Sequence, residues 1–174
     1  MAFWLQKPAK LLPPDQCNPG RATPNPQAAG PDALHYTKQT RLCEPFPEGL
    51  EVAIFGFGCF WCSEGALGDL DGIYSTSVGY AGGVTENPTY RDVCGGDTNH
   101  NEVVRVVFDP SKLPYAELLR VFWSSHNPCT LNRQGNDRGT QYRSGVYYFS
   151  EDQRLAAEAS KPARSSSRAG PRGP

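Results

Sequence analysis

The sequence has no surplus of either charge: 17 basic side chains are set against 18 acidic ones, and no basic stripe crosses the central region. A phosphate backbone would find nothing to neutralise it, so nucleic acid is not an expected partner. Long apolar runs are lacking too. The longest, such as residues 52–57, fall far short of the roughly 20 residues needed to cross a bilayer. The opening stretch, MAFWLQKPAKLLPPDQ, lacks a basic leader, a continuous apolar core and an A-x-A cleavage site, so no secretory signal is expected. A cytoplasmic monomer is the expectation, with an organelle as the alternative location. A second C-x-x-C and a His pair at ligand spacing are also missing, and His126 and Cys129 stand as an isolated pair; no metal centre is expected.

What is present suits one domain. The 174 residues are 38% apolar, enough for a single core with loose ends. Six cysteines (Cys17, Cys43, Cys59, Cys62, Cys94, Cys129) without an export signal read as reduced thiols, some of them catalytic, rather than as a disulfide framework.

Proline and glycine recur every few positions through residues 1–49, and no helical or alternating pattern survives them. This arm is expected to be irregular and to wrap the domain. The last stretch, residues 161–174 (KPARSSSRAGPRGP), has no apolar surface to offset its ordering entropy and is expected to be disordered. Between them, residues 50–160, the elements alternate. Residues 51–57 (EVAIFGF) read as a buried strand, 60–67 as a helix, 73–80 (IYSTSVGY) and 102–108 (EVVRVVF) as strands, with a long polar loop between the last two. Tyr115, Leu118, Leu119, Phe122 and Trp123 share one helical face, with Ser111 as candidate N-cap and Pro114 in the first turn. Residues 144–149 give a further strand and 151–160 a helix. The order β-α-β, β-α-β predicts an α+β fold of the split βαβ (ferredoxin-like) kind, an antiparallel sheet with helices on one face.

The segment GFGCFWCSE (residues 56–64) stands where a buried strand hands over to a helix. Free N–H groups and the positive end of a helix dipole favour an anion there, so Cys59 is a candidate nucleophile in its thiolate form. Gly58 before it lets a substrate approach closely. Three other readings compete: a merely buried cysteine, a thioredoxin-like dithiol formed by Cys59 and Cys62, and zinc. Phe60 and Trp61 between the cysteines suit an apolar pocket better than a bare redox hairpin.

Four motifs in order then carry a specific resemblance: GCFW at residues 58–61, GYAGG at 79–83, NPTYRDVC at 87–94 and RQGNDRGTQYRS at 133–144. Together they resemble peptide methionine sulfoxide reductase of the A type, specific for the S epimer. The likeness covers residues 45–160, with an echo at Pro19-Gly20-Arg21.

The resemblance implies a thiol-dependent reduction of methionine S-sulfoxide, protein-bound or free, in the repair of oxidative damage. Cys59 would attack the sulfoxide sulfur and become a sulfenic acid. Glu102 would protonate the oxygen, since burial favours the proton-carrying form of a carboxyl. Tyr90 and Tyr142 would hydrogen-bond that oxygen, Phe60 and Trp61 would wall the methyl group, and Asp137 would shape the substrate side. Cys62 is the candidate resolving thiol, Cys94 and Cys129 being others, and an external dithiol such as thioredoxin would complete the cycle without any bound cofactor. His100 and Asn101 precede the acid as they do in the family. Family domains continue past residue 160 into more structure, so this chain is expected to be incomplete at its C-terminus, to expose apolar surface and to lack any C-terminal resolving cysteine. A thiol-disulfide oxidoreductase using Cys59 and Cys62, and a truncated non-catalytic isoform, are the competing functions.

Overall fold

The computed structural model describes residues 10–166. In chain order it has β1 (Glu51–Gly56), α1 (Phe60–Leu67), β2 (Ile73–Ala81), α2 (Tyr90–Gly95), β3 (Asn101–Phe108), α3 (Tyr115–Ser125), β4 (Arg133–Gln134), β5 (Asp137–Arg138), β6 (Gly145–Tyr147) and α4 (Glu151–Ser166). The main sheet has four strands in the order β2-β3-β1-β6, and each neighbouring pair is antiparallel. β1 and β2 are therefore parallel with β3 inserted between them, which is the split βαβ arrangement that the element order predicts.

Alternation explains the sheet. Ala53 and Phe55 on β1, and Val104, Val106 and Phe108 on β3, turn to one face and join Phe57, Leu118, Leu119 and Phe122 in the core. The other face of β3 is also covered, because the arm lies across it. Arg105 donates to the Leu42 carbonyl, and its guanidinium sits 5.9 Å from the Phe46 ring. Burial on both faces is why the β3 sequence reads as an almost unbroken apolar run.

Phe122 is the centre of the helical layer. Fully buried, it lies 5.4 Å from each of the Phe55 and Phe57 rings and 4.6 Å from the His126 ring. Phe122→Ala should cost about 3–5 kcal/mol, read as a lower urea midpoint at unchanged slope. A loss below about 1 kcal/mol would mean that the site collapses around the smaller residue.

α4 docks on α3 through Trp123, whose indole N–H donates to Ser160 Oγ at 2.7 Å, and on β1 through buried Gln153, which donates to the Val52 carbonyl at 3.0 Å. The helix runs on to Ser166 rather than ending at Ser160, so residues 161–166 are helical where disorder is expected; residues 167–174 lie outside those described. Tyr148, Phe149 and Leu155 around β6 and α4 are more than half exposed.

Three further details differ from the sequence reading. α3 is capped by Pro114, while the Ser111 N–H and hydroxyl both go to Asp109 Oδ1. The polar loop before β3 holds α2, a helix of 6 residues that a capping box between Thr89 and Asp92 starts and a left-handed Gly96 ends. The loop after α3 holds the β4-β5 hairpin, whose 2-residue strands are too short to leave a periodic signal. Among the described residues no helix is long and apolar enough to cross a membrane.

Candidate active site

One end of the sheet gathers the chemistry. β1 stops at Gly56, and Cys59 becomes the N-cap residue of α1, with φ −54° and ψ 123°. Its carbonyl accepts the Ser63 N–H at 3.0 Å and the Ser63 hydroxyl at 3.2 Å, which fixes the first turn. Gly58 has φ +110°, and a Cβ there would come within 2.9 Å of Gln134 Cγ, so the turn tolerates no side chain. Cys59 itself is partly exposed.

Glu102 enters from the neighbouring strand. It is 1% exposed, and its Oε2 accepts the Phe60 N–H at 3.2 Å. The α1 N-terminus thus presents one of its free N–H groups to the carboxyl and carries Cys59 in the adjacent residue. A buried carboxyl thus stands beside the residue that follows Cys59 at the helix N-terminus.

The aromatic residues close the site. Phe60 is buried, and its ring lies 5.1 Å from Trp61, 5.8 Å from Tyr80 and 6.2 Å from Tyr90. Trp61 and Tyr90 are 6.0 Å apart, and both are exposed along one side. Tyr90 is the first residue of α2; a hydrogen bond with Cys94, followed by burial, pushes its hydroxyl pKa up to about 12. Tyr142 ends a 3₁₀ turn, Thr140–Tyr142; burial first, and then the charge of Glu102, push its pKa well above the usual tyrosine value. Both hydroxyls therefore stay protonated throughout the neutral range and can donate hydrogen bonds. Tyr90 lies within the electrostatic reach of Glu102 and Cys59, and Tyr142 within that of Glu102 and Tyr90.

Asp137 is exposed on β5, and its charge acts on both Cys62 and Tyr142, which puts it at the rim. Cys62, also exposed, hydrogen-bonds to Cys59. Its thiol is pushed above the usual thiol range, first by the negative charge of Cys59 and then by that hydrogen bond. Cys129 is exposed on the loop after α3, and its N–H donates to Asn127 Oδ1 at 3.0 Å. The structure thus brings Cys59, Cys62, Glu102, Tyr90, Tyr142, Phe60, Trp61 and Asp137 to one end of the sheet.

His100 has a different place. Its Nδ1 accepts the Gly83 N–H at 3.3 Å and its Nε2 lies 2.9 Å from the Thr85 carbonyl, so it braces the loop after β2. His126 is likewise engaged on both ring nitrogens, with the Phe122 carbonyl at 2.7 Å and Ser144 Oγ at 2.8 Å.

Several contributors stand in motifs that do not reveal what they do. Tyr80 is the cross-strand partner of Glu102. Fully buried Asn101 donates from Nδ2 to the Arg143 carbonyl at 3.1 Å, while Arg143 donates to the carbonyls of Thr140 at 2.9 Å and Asn99 at 3.0 Å. These contacts hold the Tyr142 turn against the start of β3. The motif GTQYRS contains Arg143 but does not say what its guanidinium reaches.

Comparison with known proteins agrees with the geometry. A family model described as peptide methionine sulfoxide reductase matches residues 51–170. The chain is 53% identical over 161 residues to peptide methionine sulfoxide reductase MsrA 2 of Nostoc sp., covering 92% of this chain and 71% of that protein. It is 54% identical over 145 residues to peptide methionine sulfoxide reductase MsrA of Vibrio cholerae, covering 83% of this chain and 66% of the relative. Among solved structures, methionine sulfoxide reductase A of Corynebacterium diphtheriae superposes with a TM-score of 0.77 at 34% identity, over 93% of this chain and 77% of that one. The chain therefore belongs to the peptide methionine sulfoxide reductase family, enzymes that reduce methionine sulfoxide to methionine.

Proposed function

We propose that Cys59 and Glu102 carry out the sulfoxide reduction as nucleophile and acid, on the S epimer of methionine sulfoxide, free or within a polypeptide. The observation that supports this most is the 3.2 Å hydrogen bond from the Phe60 N–H to Glu102 Oε2, which sets a buried carboxyl beside the residue that follows the nucleophile.

The Cys59 thiolate attacks the sulfoxide sulfur while Glu102 gives its proton to the oxygen and Tyr90 and Tyr142 donate hydrogen bonds to it. A bond forms between Cys59 Sγ and the substrate sulfur as the S–O bond breaks; the protonated oxygen, leaving as hydroxide, adds to Cys59 Sγ, and the sulfur–sulfur bond breaks with its electron pair left on the substrate sulfur, giving methionine and a Cys59 sulfenic acid. Phe60 and Trp61 hold the methyl group in an apolar wall, and Asp137 limits the rim. Cys62 then attacks the Cys59 sulfenic sulfur, forming a disulfide and releasing the oxygen as water. An external dithiol of the thioredoxin kind reduces that disulfide and becomes oxidised itself.

The negative charge of Cys59, and then its hydrogen bond, push the Cys62 thiol above the usual thiol range. A sulfenic acid at Cys59 is neutral, so the first half-reaction removes that upward push on the Cys62 thiol.

A single-turnover assay tests the cycle. Reduced protein mixed with methionine-S-sulfoxide and no added thiol should release methionine in one stoichiometric burst and lose two thiols. Cys62→Ser should keep the burst but accumulate a sulfenic acid that dimedone captures. Undiminished disulfide formation in Cys62→Ser would transfer the resolving role to Cys94 or Cys129, and a burst lacking from folded protein would sink the reading.

A further inference from the structure

The arm and α2 share a network that the reaction scheme above does not use. Arg21 lies on the arm, more than 60 residues from α2 in sequence. Its guanidinium donates to Asp92 Oδ2 at 2.6 Å. The same oxygen accepts the Thr89 N–H at 2.9 Å and the Thr89 hydroxyl at 2.7 Å, and Thr89 Oγ1 in turn accepts the Asp92 N–H at 3.3 Å. Asp92 is therefore the acceptor of the capping box that starts α2, and the first residue inside that box is Tyr90.

The backbone around Arg21 is fastened as firmly. The Arg21 N–H donates to the Glu86 carbonyl at 3.1 Å, and its own carbonyl accepts from Asn87 Nδ2 at 2.9 Å. The Glu86 N–H donates to the Pro19 carbonyl at 3.1 Å, and Asn25 Nδ2 donates to the Pro88 carbonyl at 2.8 Å. Gly20 permits this approach, because it has φ +84° and a Cβ there would lie 2.0 Å from the Glu86 carbonyl oxygen. Beyond α2, the Asn18 N–H donates to the Asp97 carbonyl at 2.9 Å, so the arm holds the short helix at both ends.

A helix of 6 residues makes too few internal hydrogen bonds to fix its own direction, and its position is set from outside. We propose that Arg21 is a positioning residue for the reaction: through Asp92 and the Thr89 cap it sets the orientation of α2 and so the aim of the Tyr90 hydroxyl at the sulfoxide oxygen. The Thr89 hydrogen bonds first, and then Arg21, hold the Asp92 carboxyl below the usual carboxylate range, which keeps the pair charged across the neutral range. A small displacement of one hydrogen-bond donor is enough to weaken its contribution in the transition state.

The inference rests on the assignment of Tyr90 as a donor, and a double-mutant cycle separates the two. In single-turnover assays Arg21→Ala should lower the rate about tenfold with substrate affinity changed less than about twofold, a split expected when a transition-state contact is lost. Arg21→Lys should restore most of the rate. In the Tyr90→Phe background Arg21→Ala should lower the rate no further. Equal factors in the two backgrounds, or an unchanged rate in Arg21→Ala alone, would overturn the positioning role. Tyr90→Phe at the parent rate would overturn the assignment of Tyr90, and the inference with it. If Arg21→Ala fails to give a cooperative melt, Arg21→Gln, which keeps side-chain length but removes the charge, is compared with the parent in both backgrounds and reads the same coupling.

Discussion

Cys59→Ser should lose sulfoxide reduction by at least about 10³-fold, since a nucleophile of this kind is removed outright rather than weakened. The substitution changes one atom at a partly exposed N-cap, and serine is itself a good N-cap residue, so the fold should be retained. Loss of activity with an unchanged cooperative melt therefore assigns the chemistry, whereas loss of both would assign only a structural part. The outcome also separates two uses of the C-x-x-C pair. A dithiol oxidoreductase needs Cys59 and Cys62 equally, while the sulfoxide reaction needs Cys59 for every turnover and Cys62 only for recycling. Methionine produced in a single turnover by Cys62→Ser but not by Cys59→Ser meets the second description. More than about a tenth of the parent rate in Cys59→Ser would remove Cys59 as the nucleophile.

How much of this was legible in the sequence depends on the scale of each feature. The central strand β3 and the helix α3 carry strong periodicity because both bury large apolar areas, and their extents follow from the residues alone. α2 is different. Its apolar content is a single buried residue, Val93, and what forms it is a hydrogen-bonded box anchored by an arginine far away in sequence. No local pattern reports such a partner. The same holds for the Tyr142 turn, which Asn101 and Arg143 fasten to β3. Cys59 was legible by position, at a strand-helix junction, while Glu102 was marked only by the family resemblance, and their adjacency is a product of the antiparallel register. The pairing of Phe55 with Val104 and of Tyr80 with Glu102 brings the end of β1, the start of β3 and the end of β2 together. The arm read as irregular, and it has little regular structure among its described residues. Its order comes from the hydrogen bonds that it makes to the sheet and to α2, which composition alone does not reveal.

Glu102→Gln should lower the chemical step by about 10²–10⁴-fold, the usual contribution of a positioned acid. Glutamine keeps the size of the side chain, and its amide oxygen can still accept the Phe60 N–H, so geometry is conserved while the transferable proton is removed. Stability should change little, or rise, because the variant cannot place a charge in a site that is 1% exposed. The sign of the pH dependence gives a second reading. A group that acts by donating a proton is competent while it carries that proton and fails once it is lost, so the parent rate should show a limb that descends with rising pH. In Glu102→Gln that descending limb should vanish. A variant within about threefold of the parent at its own optimum would mean that the proton comes from elsewhere, with Tyr142 as the alternative to test, since its hydroxyl feels the charge of Glu102 and keeps its proton to high pH. Tyr142→Phe combined with Glu102→Gln then decides between them: two donors acting on one oxygen lose less together than the product of their separate effects, whereas a single true acid leaves the other substitution with its full effect.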